Sequence, residues 1–100
     1  MDARRVLGGM EPVLRARVLE AARTQRPRSE PLHDPLEDDP VLKPIIVRAA
    51  IEAERIVRSR GPLRRGSCYS IWREQARILL EQHQLAWFSP QQMNPYASFD

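Results

Sequence analysis

Five of the nine prolines in this chain fall within one short segment: Pro27, Pro31, Pro35, Pro40 and Pro44. Proline removes a backbone N–H and fixes φ, so no long helix and no central strand can run through that segment. Residues 27–43 therefore read as an irregular strap, with regular structure confined to either side. The strap carries Glu37, Asp38 and Asp39. Its candidate buried contacts are Leu32, Leu36, Val41 and Leu42. Irregular chain of this length in a compact domain is either mobile or functional.

Outside the strap, apolar residues recur at helical spacing and no stretch alternates with period two. Residues 11–25 predict a first helix, with Pro12 in its first turn. Its stripe is Leu14, Val18, Ala21 and Ala22, with Val13 beside them, and Arg26-Pro27 ends it. Residues 44–60 predict the clearest helix. Ile45, Ile46, Ala49, Ala50, Ala53, Ile56 and Val57 share one face. Arg48/Glu52 and Glu54/Arg58 pair on the other, and Gly61-Pro62 is the stop. Residues 68–84 predict a third helix, N-capped by Ser67, with a stripe of Cys68, Ile71/Trp72, Ala76, Leu79/Leu80 and His83. Ser89-Pro90-Gln91-Gln92 reads as a capping box opening a short helix near 90–93, with Phe88 and Met93 as its staple.

The expectation is a single all-α domain over 11–100: a small bundle of three main helices, a short C-terminal one and the strap. Residues 1–10, broken by Gly8-Gly9, read as a flexible arm. One hundred residues can bury one modest core.

Charge is distributed in blocks. Residues 1–28 carry a net charge of plus four, residues 29–44 minus four and residues 45–82 plus four. An acidic segment between two basic ones folds back on its own protein or is solvated. A dedicated polyanion binder usually lacks one. Of 16 basic residues only Lys43 is lysine, a usage that fits a GC-rich, bacterial type of genome. Cys68 is the single cysteine, which excludes an intrachain disulfide and fits a reducing compartment. The first ten residues resemble no secretory leader, and no run is apolar enough for a membrane span. The expected location is the cytoplasm.

Three groups of residues are candidates for function. Arg64, Arg65, Ser67 and Cys68 lead into a helix N-terminus, where free N–H groups and the dipole attract phosphate or carboxylate. The ordinary reading is a capped helix after a solvated basic turn. Cys68 precedes Arg73 by one residue fewer than the Cys-x5-Arg loop of phosphate-transferring cysteine enzymes, and a small buried residue is its ordinary role. Trp87, Phe88, Tyr96 and Phe99 belong to a set of six aromatics confined to the last third of the chain. They are either core or a surface that grips a partner. Arg15, Arg23, Arg48, Arg55 and Arg58 suggest phosphate contacts, but glutamates interleave with them. His33 and His83 with Asp34, Asp38 and Asp39 lack the spacing of a metal site or calcium loop.

No nucleophile, base and orienter converge, and neither a catalytic residue nor a cofactor is expected. The leading expectation is a protein-binding or self-associating module acting on a protein partner or a second copy, with no membrane role. The alternatives are a nucleic-acid-associated protein using the Arg faces and the 61–67 loop, and an anion-binding domain or enzyme at Ser67-Cys68.

Overall fold

Glu11 opens the first helix by accepting the N–H groups of Val13 (2.6 Å) and Leu14 (3.1 Å) on its carboxylate. In the computed structural model, which describes residues 11–25 and 31–99, α1 spans Pro12–Thr24 and gives way to extended backbone at Gln25. The expected arm at 1–10, the Arg26-Pro27 stop and the strap's start at 27–30 lie outside the described residues. Val18 and Ala21 are buried and Leu14 is half-buried, whereas Val13 and Ala22 are exposed. The buried stripe is thus narrower than expected. Val18 and Ala21 form one small cluster with Met93, backed by Leu14, Leu32 and Phe88.

Among its described residues the strap contains one 3-10 turn, Pro35–Asp38. Asp34 caps it, its carboxylate accepting the Leu36 N–H at 3.0 Å. Asp39 does the same for the next helix, taking the N–H groups of Val41 (2.8 Å) and Leu42 (3.2 Å). That cap starts α2, Leu42–Arg60, two residues before the expected Pro44. Pro44 is then in the first turn, where a missing N–H breaks no intrahelical bond. The helix stops at Gly61, whose φ of 154° is closed to most L residues.

Helix α3 spans Ser67–His83. Here two expectations need correction. Ser67 is the first helical residue and not the cap. Gly66 takes the capping position in the left-handed region, and the Ser67 hydroxyl instead accepts the Arg64 N–H at 2.8 Å, closing the loop. The helix is also rotated relative to the expected stripe. Gln75, Ile78 and Leu79 are buried, Ile71, Trp72 and Ala76 are half-buried, and Leu80 and His83 are exposed. Gln75 reaches the core line because its amide donates to the Ile46 carbonyl (3.2 Å), so burial leaves no polar atom unpaired.

The main core joins α2 to α3: Ile46, Ala49, Ala53, Ile78, Leu79 and Trp87. Ala49 and Ala53 lie one turn apart, and their small side chains let the facing helix come close. The last helix, α4, spans Pro90–Met93 and carries both halves of the capping box: the Ser89 hydroxyl accepts the Gln92 N–H and Gln92 Oε1 accepts the Ser89 N–H. Ser89→Ala is expected to cost about 1 kcal/mol, read as a lowered urea midpoint with an unchanged slope. The domain is an all-α small bundle, as its sequence pattern predicts.

Candidate functional site

The most chemically loaded feature is a polar seam joining the strap to α1 and to the segment around α4. Asp34 has no exposed surface. One of its carboxylate oxygens caps Leu36. The other accepts Arg17 Nη1 (2.9 Å) and the Phe88 N–H (2.9 Å). Arg17 also donates to the Ala86 carbonyl, and its guanidinium carbon lies 5.0 Å from the Phe88 ring centroid. Buried Asn94 takes the Leu32 N–H (3.0 Å) and donates to the Leu32 and Pro90 carbonyls (2.8 and 2.9 Å). Gln25 pairs both ways with the backbone of His33. Among the described residues no buried side-chain nitrogen or oxygen lacks a partner. The seam is therefore saturated, and its chemistry is that of a structural clamp.

Glu37 lies on the same strap and accepts the Trp87 indole N–H at 2.9 Å. Burial pushes its pKa above the ordinary carboxylate value. The indole bond and His33 draw it back in part, while Asp34 and Asp38 push it further up. A carboxyl with a raised folded-state pKa adds stability below its ordinary value and loses that contribution as pH rises through the folded value. At neutral pH the charged Glu37 thus opposes folding, and glutamine would keep an acceptor for the indole. Glu37→Gln is expected to melt at or above the wild-type temperature at pH 7, with a flatter stability profile through the acid range. A clear drop at pH 7 would show that the charge itself is needed.

The four aromatic candidates separate in space. Trp87 is in the core. Phe88 is half-buried beneath Arg17. Phe99 docks edge-on against Trp72, with ring centroids 5.2 Å apart, and its N–H donates to the Tyr69 hydroxyl at 2.8 Å. Tyr96 is the open one, at 66% exposure. The C-terminal aromatics chiefly close the fold.

Of the anion candidates, Arg64, Arg65 and Ser67 converge on one hollow, and Cys68 does not line it. Arg60, Arg64, Arg65, Ser67 and Ser70 line a hollow of about 300 Å³ with Val57, Gly61, Pro62 and Gly66. Several groups an anion would use are already engaged. The Ser67 and Tyr69 amides donate to the Arg64 and Gly66 carbonyls (3.0 and 3.2 Å), and Arg60 bonds Glu74 (3.2 Å). Cys68 is half-buried at the start of α3. His83 ends the same helix, roughly 22 Å away along the axis, so it is no base for this thiol.

Several arginines of α2 and α3 pair with acids. Glu52 binds Arg55 and not the expected Arg48; Glu54 binds Arg58; Arg60, Glu74, Arg77 and Glu81 form a chain. The Arg77 guanidinium, followed by that of Arg60, holds Glu74 below the usual carboxylate range. Among the described residues no group of three His, Cys, Asp or Glu side chains is placed to hold a metal, and His33 is turned to Asp38 at 3.0 Å. None of the described helices is long and apolar enough to cross a membrane.

What periodicity did not flag is the outer side of α2. Val47 is 50% exposed and Ile51 67% exposed. At about 100° per residue, Ile51 stands opposite the buried line of Ile46, Ala49 and Ala53, and Val47 lies about 40° from it, one turn away. Exposed Lys43, Arg48, Glu54, Arg55 and Arg58 surround the pair, four cations to one acid.

No family model, no curated protein and no solved structure matches this chain.

Proposed function

We propose that this protein is a small, non-catalytic protein-interaction module that works through the outer face of α2. The observation that carries the reading is the pair Val47 and Ile51, exposed one turn apart on the side of the helix turned from the core. Single exposed apolar residues are unremarkable on any surface. Two adjacent β-branched side chains, ringed by charge, have the form of a small interface with a polar rim. Support also comes from the rest of the molecule: the polar seam is saturated, and Trp87, Phe88 and Phe99 are used internally. The reading places the module in a reducing, cytoplasmic setting, on the strength of its single cysteine.

A photo-reactive residue at position 51, with a second at exposed Gln82 as control, tests this in the producing cells and in concentrated solution. A discrete cross-linked product at 51 and not at 82 is expected. No product at 51 in either setting overturns the reading. Purified protein that carries nucleic acid released by salt would transfer the assignment to the Arg-bearing faces.

A further inference from the structure

Tyr69, Trp72, Arg73 and Ala76 recur at i, i+3, i+4 and i+7, so they share one stripe of α3. Ser89, Gln91 and Gln92 complete the lining of a hollow of about 260 Å³ over that stripe. The geometry points to this hollow as a binding site for a small aromatic monocarboxylate. It shares no residue with the outer face of α2 and is independent of the module reading.

The charge of the ligand follows from what the lining has left to offer. Arg73 is exposed, is the one charged side chain in the lining, and among the described residues bonds no other group. The two acids of α3, Glu74 and Glu81, are held by Arg60 and Arg77. Most acceptors are already spent. The Ser89 hydroxyl takes the Gln92 N–H, Gln92 Oε1 takes the Ser89 N–H, and the Tyr69 hydroxyl takes the Phe99 N–H. Donors are left over. Gln92 Nε2, the Gln91 amide and the Trp72 indole N–H have no partner among the described residues. A cation beside spare N–H donors selects an anion. One guanidinium matches one carboxylate in a two-pronged bond, whereas a phosphate dianion would be left half-neutralised.

The ring follows from the wall. Tyr69 and Trp72 are half-buried and meet edge to face, with centroids 5.8 Å apart. Trp72 already receives the Phe99 ring in the same way at 5.2 Å, and this is the favoured geometry of aromatic pairs. Ala76 extends the wall with a methyl group. The volume falls just short of the roughly 300–1,000 Å³ of drug-sized pockets, so it admits one ring and its acid rather than a length of peptide. Asp100, the acid that follows Phe99 in sequence, lies outside the described residues, and the test removes it as a competitor.

Phenylacetate is the probe, titrated to millimolar into the isotope-labelled full chain in phosphate-free buffer, with two-dimensional amide spectra as the readout. Expected are saturable shifts of the Trp72 indole N–H and of the Gln91 and Gln92 side-chain amides, with the Trp87 indole unmoved. Phenylacetamide keeps the ring without the charge, and acetate keeps the charge without the ring. Each should bind at least tenfold more weakly. Arg73→Gln, at an exposed position, should weaken phenylacetate binding at least tenfold and leave the thermal melt in place. Asp100→Asn should bind as wild type does. The inference is overturned by the lack of a saturable shift at these residues, or by binding that Arg73→Gln leaves untouched. Phenylacetamide, acetate or inorganic phosphate binding as tightly as phenylacetate also overturns it. Binding that appears only in Asp100→Asn does so too, because Arg73 would then serve a carboxylate of its own chain.

Discussion

Asp34→Ala is expected to leave most of the chain without fixed tertiary structure at room temperature. The carboxylate is fully buried and receives the Leu36 N–H, the Phe88 N–H and the Arg17 guanidinium. Removing it orphans two backbone donors and strands Arg17, whose side chain is only 19% exposed. Breaking one side of a buried pair costs about 3–5 kcal/mol, and a domain of this size holds about 5–15 kcal/mol in total. The damage is also topological. Asp34 is where the strap, α1 and the segment before α4 meet, so its loss frees all three from one another. The α2–α3 contact does not touch Asp34 and should keep part of the far-ultraviolet helical signal. The decisive readout is the near-ultraviolet signal of Trp87, which needs a fixed environment. Asp34→Asn retains acceptor capacity and should fall between the two. Asp34→Ala with Arg17→Met removes the stranded charge and should recover part of the loss. A single Asp34→Ala chain that melts alongside wild type would show the seam to be ornamental.

What could be read in the residues, and what could not, divides along physical lines. The α2 face was legible because Ile46, Ala49 and Ala53 repeat with the helical period and Gly61-Pro62 leaves no doubt about the stop. The short C-terminal helix was legible because a capping box is a local device spanning four residues. The seam was not legible. Asp34, Asn94 and Gln25 act on Phe88, Leu32 and His33 across gaps that no sequence period encodes. A partial signal existed: Asp34-Pro35 has the form of a cap followed by a first-position proline, and Asp39 precedes α2 in the same way. Helix α3 misled because its large apolar residues, Trp72 and Leu80, are not its most buried ones. Gln75 is buried in their place, with its amide on the Ile46 carbonyl, and hydrophobicity alone never assigns glutamine to a core. The outer pair Val47 and Ile51 escaped for the complementary reason, since a search for the core stripe discards whatever lies opposite it.

Trp87→Ala is expected to produce the second-largest loss, and the size of that loss should depend on pH. Trp87 is 5% exposed and packs with Ile46, Ala49, Ala53, Ile78 and Leu79. Truncating a buried tryptophan costs about 3–5 kcal/mol, depending on how far the site collapses. A second term comes from Glu37, whose carboxylate loses the indole N–H. That bond is what most lowers a pKa already raised by burial, so its removal should raise the folded-state value further. The sign follows directly. Below the ordinary carboxylate range Glu37 is protonated in both folded and unfolded chains, and only the packing loss remains. As pH rises, the unfolded chain ionises first and gains on the folded one, so the deficit grows until Glu37 has also ionised in the fold. Trp87→Phe separates the two terms. It keeps most of the buried ring and removes the N–H, so its deficit should be small in acid and widen toward neutrality. Urea titrations of wild type, Trp87→Phe and Trp87→Ala across the acid-to-neutral range provide the comparison. Two pH-independent deficits would show that the indole–carboxylate bond contributes nothing to holding the strap on the core. A deficit for Trp87→Phe that opens only as Glu37 ionises would show that this bond joins the acidic strap to the helices.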